Sequence, residues 1–217
     1  NKKQIFFFII TNATNYFACS DKAGIWLFGK KTYDRDEITF IKNSVDTNRF
    51  SFDESSRNEM RMNLNVDEST FLIGHVGRFV QVKNHSFMID TLAKINEKNG
   101  NYKLCLVGSG PYRDDVMAKA KELGLEDKVI FVDPVADTSK YYSAFDCFIL
   151  PSLYEGLPVV GIEAQVNGLR CLFSDRVTKE VIISDYSEFL SIDDSNVWAE
   201  KIKTFKINER TIQENED

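Results

Sequence analysis

Cysteine and histidine are scarce in this chain. Four cysteines (Cys19, Cys105, Cys147, Cys171) sit in or beside apolar runs, none forms a Cys-x-x-Cys pair, and only His75 and His85 could join them. No zinc-ligand spacing results, so the pattern points to buried free thiols in a reducing compartment. Long apolar runs are missing too. The longest, residues 5–10, falls far short of the ~20 residues a membrane-spanning helix needs. Basic residues do not dominate: 27 Lys and Arg stand against 33 Asp and Glu, a formal charge of -6, which argues against broad nucleic-acid binding. No repeat or low-complexity tract is visible. The sequence has no initiating methionine, no signal-peptide cleavage site follows residues 5–10, and it opens in mid-pattern, so we read it as part of a longer chain.

What is present is alternation. Apolar, strand-like runs at 71–77, 103–108, 128–132, 146–150, 169–173 and 188–192 take turns with helix-period segments, such as Met88, Leu92 and Ile95 or Trp198, Ile202 and Phe205. Near-continuous apolar strands are buried on both faces, the habit of parallel sheets. Gly124 and Gly168 stand where helices should stop, and Asp194 where one should start. The pattern predicts an α/β fold, a doubly wound, Rossmann-like parallel sheet of about six strands, whose ligand should sit beyond the carboxyl ends of the strands. Residues 1–40 stand outside this series and 206–217 read as a polar tail, leaving 41–205 as the main domain.

The strand exits therefore hold the candidate residues. Gly77 and Arg78 follow the first strand, and Lys83 precedes the next helix, two cations that suit an anion. Gly108-Ser-Gly110-Pro111 follows the second strand; it lacks the third glycine of a dinucleotide fingerprint, because Arg113 stands there. After the fourth strand, Glu155-Gly156-Leu157-Pro158 enters a helix that carries Glu163. A helix start suits a pyrophosphate, and two flanking carboxylates suit hydroxyl groups, so the combination fits a nucleotide sugar. Asp34-Arg35-Asp36 matches a metal-binding Asp-x-Asp but lies in a polar turn, and we assign it no metal. For His75 and His85 we expect packing or solvated roles rather than catalysis.

In order along the chain, Asn43-Ser-Val-Asp46, Gly77-Arg78 with Lys83, Gly108-Ser-Gly-Pro111 and Glu155-x7-Glu163 resemble the family 4 glycosyltransferases of the GT-B fold, specifically their C-terminal, donor-binding half. Residues 1–40 then resemble a remnant of the N-terminal, acceptor-binding half. The resemblance implies a retaining enzyme that moves a hexosyl or N-acetylhexosaminyl group from a nucleotide diphosphate sugar, most simply a UDP-sugar. The acceptor would be a glycan or lipid-linked molecule, as in bacterial surface polysaccharide synthesis, held by the absent half. It implies Arg78, Lys83 and Glu155 as catalytic residues, the first two stabilising the leaving diphosphate and Glu155 holding the sugar. Gly77, Gly108, Gly110, Val132, Gly156, Leu157 and Glu163 would bind the donor, with Glu163 on the ribose. Val132 borders the base-side loop, where Asp133-Pro134 stands in place of a more usual glycine. No cofactor and no metal are expected, nor any nucleic acid, and the setting would be cytoplasmic, at the inner face of the membrane. A nucleotide-sugar epimerase of similar fold and a non-catalytic nucleotide-binding module are the alternatives.

Overall fold

The computed structural model describes residues 13–41, 43–97 and 100–210, and divides after Ser44 into two compact units. The run at residues 5–10 lies outside the described residues. In the first unit, strand β1 (Tyr16–Ala18) pairs in parallel with β2 (Ile38–Phe40). Helices α1 (Asp21–Phe28) and α2 (Lys30–Asp34) make the crossover. The Ser20 hydroxyl starts α1 by accepting from Ala23 N–H at 3.2 Å, and Gly29, at φ 83°, supplies the left-handed residue that separates the helices. Asp34 is the Lys30 partner at 2.9 Å, so the Asp-x-Asp triplet is an exposed turn.

The second unit begins with two helices, α3 (Thr47–Phe50) and α4 (Glu54–Asn63). Six parallel strands follow: β3 (Phe71–Val76), β4 (Tyr102–Val107), β5 (Val129–Val132), β6 (Cys147–Leu150), β7 (Arg170–Ser174) and β8 (Ser187–Leu190). Their order is β5-β4-β3-β6-β7-β8, so the chain winds outward twice from the centre and reverses between β3 and β6. This is the doubly wound α/β sheet that the alternation predicts. Every residue of β3 and β6 is buried.

Side chains alternate along each strand, so Ile73, Leu104 and Ile149 feed one core while Leu72, Cys105 and Phe148 feed the other. Helices α5 (His85–Asn96), α6 (Arg113–Glu122) and α9 (Ser195–Ile202) cover the first face. Helices α7 (Ser139–Ala144) and α8 (Val159–Val166), with Phe50 of α3 and Met60 of α4, cover the second. Three cysteines (105, 147 and 171) are buried free thiols, and Cys19 is half-buried and free. Gly124 and Gly168 adopt φ 66° and 78° at their helix ends, as their positions predict.

Two features depart from expectation. Helix α4 buries two charged residues, Arg57 and Arg61, beside Met60, which its polar sequence does not announce. Both reach Asp146, at 2.6 and 3.0 Å, and Asp146 also accepts from Leu72 N–H at 2.7 Å. Residues 206–210, which read as tail, pack onto the same cluster. Asn208 N–H donates to Asp146 at 2.9 Å, and the Arg210 guanidinium donates to Phe145 O at 2.6 Å and Asn167 Oδ1 at 2.8 Å. Burial and the neighbouring Arg57 lower Arg210 to about 9, still protonated at neutral pH.

Candidate functional site

The reversal of strand order between β3 and β6 leaves a crevice at their carboxyl ends, the usual ligand position in such sheets. Two loops build one wall. Gly77 N–H donates to Val107 O at 3.0 Å, Phe79 N–H to Ser109 O at 2.9 Å, and Tyr112 N–H to Phe79 O at 3.1 Å, zipping the β3 exit to the β4 exit. That approach requires glycine. Gly108 (φ 147°) and Gly110 (φ 156°) would place a Cβ 2.1 Å from Gly77 O and 2.4 Å from Phe79 O. The structure thus gives these two glycines an architectural role, holding the Arg78 loop in place.

The β6 exit is tied to the same loop. Leu153 N–H donates to Val82 O at 2.8 Å, and the Asn84 amide donates to Pro151 O at 3.1 Å. These bonds bring together the two residues that the sequence places at separate strand exits: Lys83 Nζ lies 2.7 Å from Glu155 Oε1, both side chains about 15% exposed. Ser152 Oγ donates to the same oxygen at 2.9 Å. Arg78 is exposed and its side chain makes no hydrogen bond or ion pair among the described residues, so its charge faces solvent. Gly156 is exposed, with open space where its Cβ would stand, and Leu157 packs on the second core. Pro158 directly precedes α8, leaving that helix start without a side-chain cap.

Glu163 projects from α8 and forms no ion pair among the described residues. Burial holds its carboxyl above the usual range, while the hydrogen bond from Tyr142 OH, 2.7 Å from Oε2, pulls the other way. Tyr142 was not legible as a site residue; it reads as one apolar position of a short helix, and only the fold brings it under Glu163. Val132 ends β5, its carbonyl accepting from Gly108 N–H at 3.0 Å, and the following Asp133 forms an ion pair with Arg113. No three of His, Cys, Asp and Glu among the described residues gather as metal ligands.

The two histidines lie beneath this wall, both buried in packing roles. His75 Nδ1 is 2.9 Å from Ile149 O; a carbonyl only accepts, so the proton sits on Nδ1 and Nε2 is left as an acceptor. His85 packs edge-on against His75 and stacks on Phe79 at 4.2 Å, with both its nitrogens buried and unpaired. Burial, then the neighbouring Lys83, lowers His85 to about 4, and burial lowers His75 as well. Below pH 6.5 the unfolded chain takes up these protons while the folded chain refuses them, so stability falls as pH drops from about 6.5 to about 4. His85 alone should cost roughly 3 kcal/mol over that window. Urea unfolding across that pH range checks this: His85→Phe should flatten the slope, and an unchanged slope would refute the assignment.

A model of the family described as glycosyl transferases group 1 matches residues 56–216, more than half of the chain. The chain belongs to this family of glycosyltransferases. It is the C-terminal half of their GT-B fold, the half that the site loops point to. EpsF of Bacillus subtilis, which carries a glycosyltransferase name, is 35% identical over 196 residues, 89% of this chain and 51% of EpsF. An Escherichia coli UDP-Gal:alpha-D-GlcNAc-diphosphoundecaprenol alpha-1,3-galactosyltransferase is 28% identical over 142 residues, 64% of this chain and 37% of that enzyme. The fold matches Anabaena HepE, solved with UDP and glucose, at a TM-score of 0.79 and 22% identity, over 93% of this chain and 56% of HepE. The chain thus spans about half or less of these proteins. Among the described residues no helix is long and apolar enough to cross a membrane.

Proposed function

We propose that this chain is the donor-binding half of a retaining glycosyltransferase that takes a UDP-sugar and moves a hexosyl or N-acetylhexosaminyl group to a glycan or lipid-linked acceptor. The observation that carries the reading is the Lys83–Glu155 pair at the sheet's switch point, beside the uncapped start of α8 and the outward-facing Arg78. Arg78, Lys83 and the helix start are preorganised positive charge for the leaving diphosphate. Glu163, half-buried and hydrogen-bonded by Tyr142, accepts from ribose hydroxyls, and Glu155 from the transferred sugar once the diphosphate has drawn Lys83 away. Gly77, Gly108 and Gly110 hold the wall, Gly156 and Leu157 offer backbone to sugar and phosphate, and Val132 borders the base. The charge work falls to side chains and a helix dipole, and the reading calls on no metal or other cofactor. The E. coli relative acts on a lipid-linked acceptor, as its name states, which supports the acceptor class; a cytoplasmic setting at the inner face of the membrane is part of the same proposal.

The acceptor must be held in line with the anomeric carbon, and on this reading the other half does that. Residues 1–217 alone should therefore bind UDP without transferring sugar. Calorimetry with UDP, UMP and uridine tests the reading. UDP should bind most tightly, with an affinity that falls as salt rises, since two phosphates meet two cations. Equal binding of UDP and uridine would overturn it.

A further inference from the structure

A cavity opens between the start of α5 and the start of α6, with Leu153 beside it. It encloses about 270 Å³, small for a ligand pocket and suited to a single ring. Arg78, Lys83, Glu155, Gly156 and Glu163 take no part in its walls. Val80, Val116 and Leu153 supply apolar wall, and Tyr112, 43% exposed, stands beside them as a free aromatic face. Gln81 and the exposed Asp115 supply hydrogen-bonding groups.

The charges decide against an anion. The one cation in the wall, Lys119, is already committed to Asp90 at 2.6 Å, Ser86 Oγ at 2.7 Å and Ser86 O at 3.2 Å, while Asp115 repels negative charge. A purely apolar ligand is opposed by the polar groups of the wall, the exposed Asp115 carboxylate and Gln81 among them. A pyranose ring offers what remains: one C–H face for Tyr112 and the aliphatic wall, and hydroxyl edges for Asp115 and Gln81.

We propose that this cavity binds one neutral saccharide ring, separate from the donor's sugar. Leu153 and Gln81 link it to the bonds that hold Lys83 beside Glu155, so occupancy at one site is felt at the other. That the ring belongs to the growing glycan rests on the proposed transfer reaction; that a ring binds does not.

The test is an amide-resolved NMR titration of the 217-residue chain with UDP present. Probes are methyl α-D-glucopyranoside, methyl N-acetyl-α-D-glucosaminide, their disaccharide methyl glycosides and glucose 1-phosphate. Neutral glycosides should move the Gln81, Ser86 and Asp115 signals, and Tyr112→Ala and Asp115→Ala should each weaken them by at least about fivefold. Tyr112→Phe should retain binding, and Glu59→Gln, on an exposed surface outside the cavity wall, should leave it unchanged. Tighter binding of disaccharides would assign the site to a glycan end, and equal binding to a free sugar; both support a ring site. The proposal is overturned by no shift at about 50 mM glycoside, well past the roughly millimolar range of a single ring. It also fails if shifts are confined to the Glu155 loop, or if only glucose 1-phosphate binds. UDP-induced shifts at Arg78 and Lys83 report the donor reading separately, in the same samples.

Discussion

Replacing Asp146 by asparagine should cost about 3–5 kcal/mol, a large part of the ~5–15 kcal/mol that holds a typical domain together. The side chain is fully buried and is the single carboxylate that Arg57 and Arg61 share. Arg210 packs against the same region, its guanidinium donating to Ser143 O and Phe145 O. Asparagine keeps the shape but leaves Arg57 and Arg61 only neutral acceptors: the carbonyls at the end of α7, which accept from Arg57 at 3.1–3.2 Å, and Asp67 O and Thr70 O, which accept from Arg61 at 2.6 Å. The cost is that of stranding buried charge rather than the worth of one ion pair. Urea unfolding measures it, with Glu59→Gln as the control. Glu59 pairs with Lys140 at 2.9 Å on an exposed surface, and its loss should cost under about 1 kcal/mol. Equal effects for the two variants would mean that the cluster is solvated and does not organise the fold.

That cluster also shows where the sequence stops being readable. Strands buried on both faces announce themselves by composition, and glycines at strand exits by position; the β3 to β8 series and Gly77, Gly108 and Gly110 follow from local pattern alone. Arg57 and Arg61, four apart on one helix face, look like a solvated stripe, since nothing near them in sequence reveals that Asp146 stands behind. Arg210 looks like tail for the same reason. His85 begins a helix, ordinarily an exposed place, and is buried because Phe79 folds over it. At the site, the sequence offers Lys83 and Glu155 as candidates but not their pairing: they meet only because the strand order reverses between their loops.

The pairing changes what each donor-site substitution should do. Lys83→Ala removes a shielded cation and should weaken UDP binding by about tenfold to a hundredfold, the worth of a charge-assisted hydrogen bond, while leaving uridine almost unaffected. Arg78→Ala should act in the same direction with a smaller effect that fades at high salt, because Arg78 is exposed and screened. Glu155→Gln should do the opposite for UDP. Glu155 occupies Lys83 in the free chain, at 2.7 Å, so a diphosphate must break that ion pair before it gains the lysine. Removing the carboxylate charge takes away the competitor, and UDP should bind as well as before or better. A UDP-sugar should lose that gain, because the sugar hydroxyls lose their acceptor. Glu163→Gln should weaken uridine and UDP alike, since both share the ribose, and the loss should be modest while Tyr142 still anchors the side chain at 2.7 Å. Calorimetry of four variants against uridine, UDP and a UDP-sugar separates these outcomes. Weaker UDP binding by Glu155→Gln would show that the glutamate positions Lys83 for the phosphate instead of competing for it, and the order of events proposed at the site would then have to be reversed.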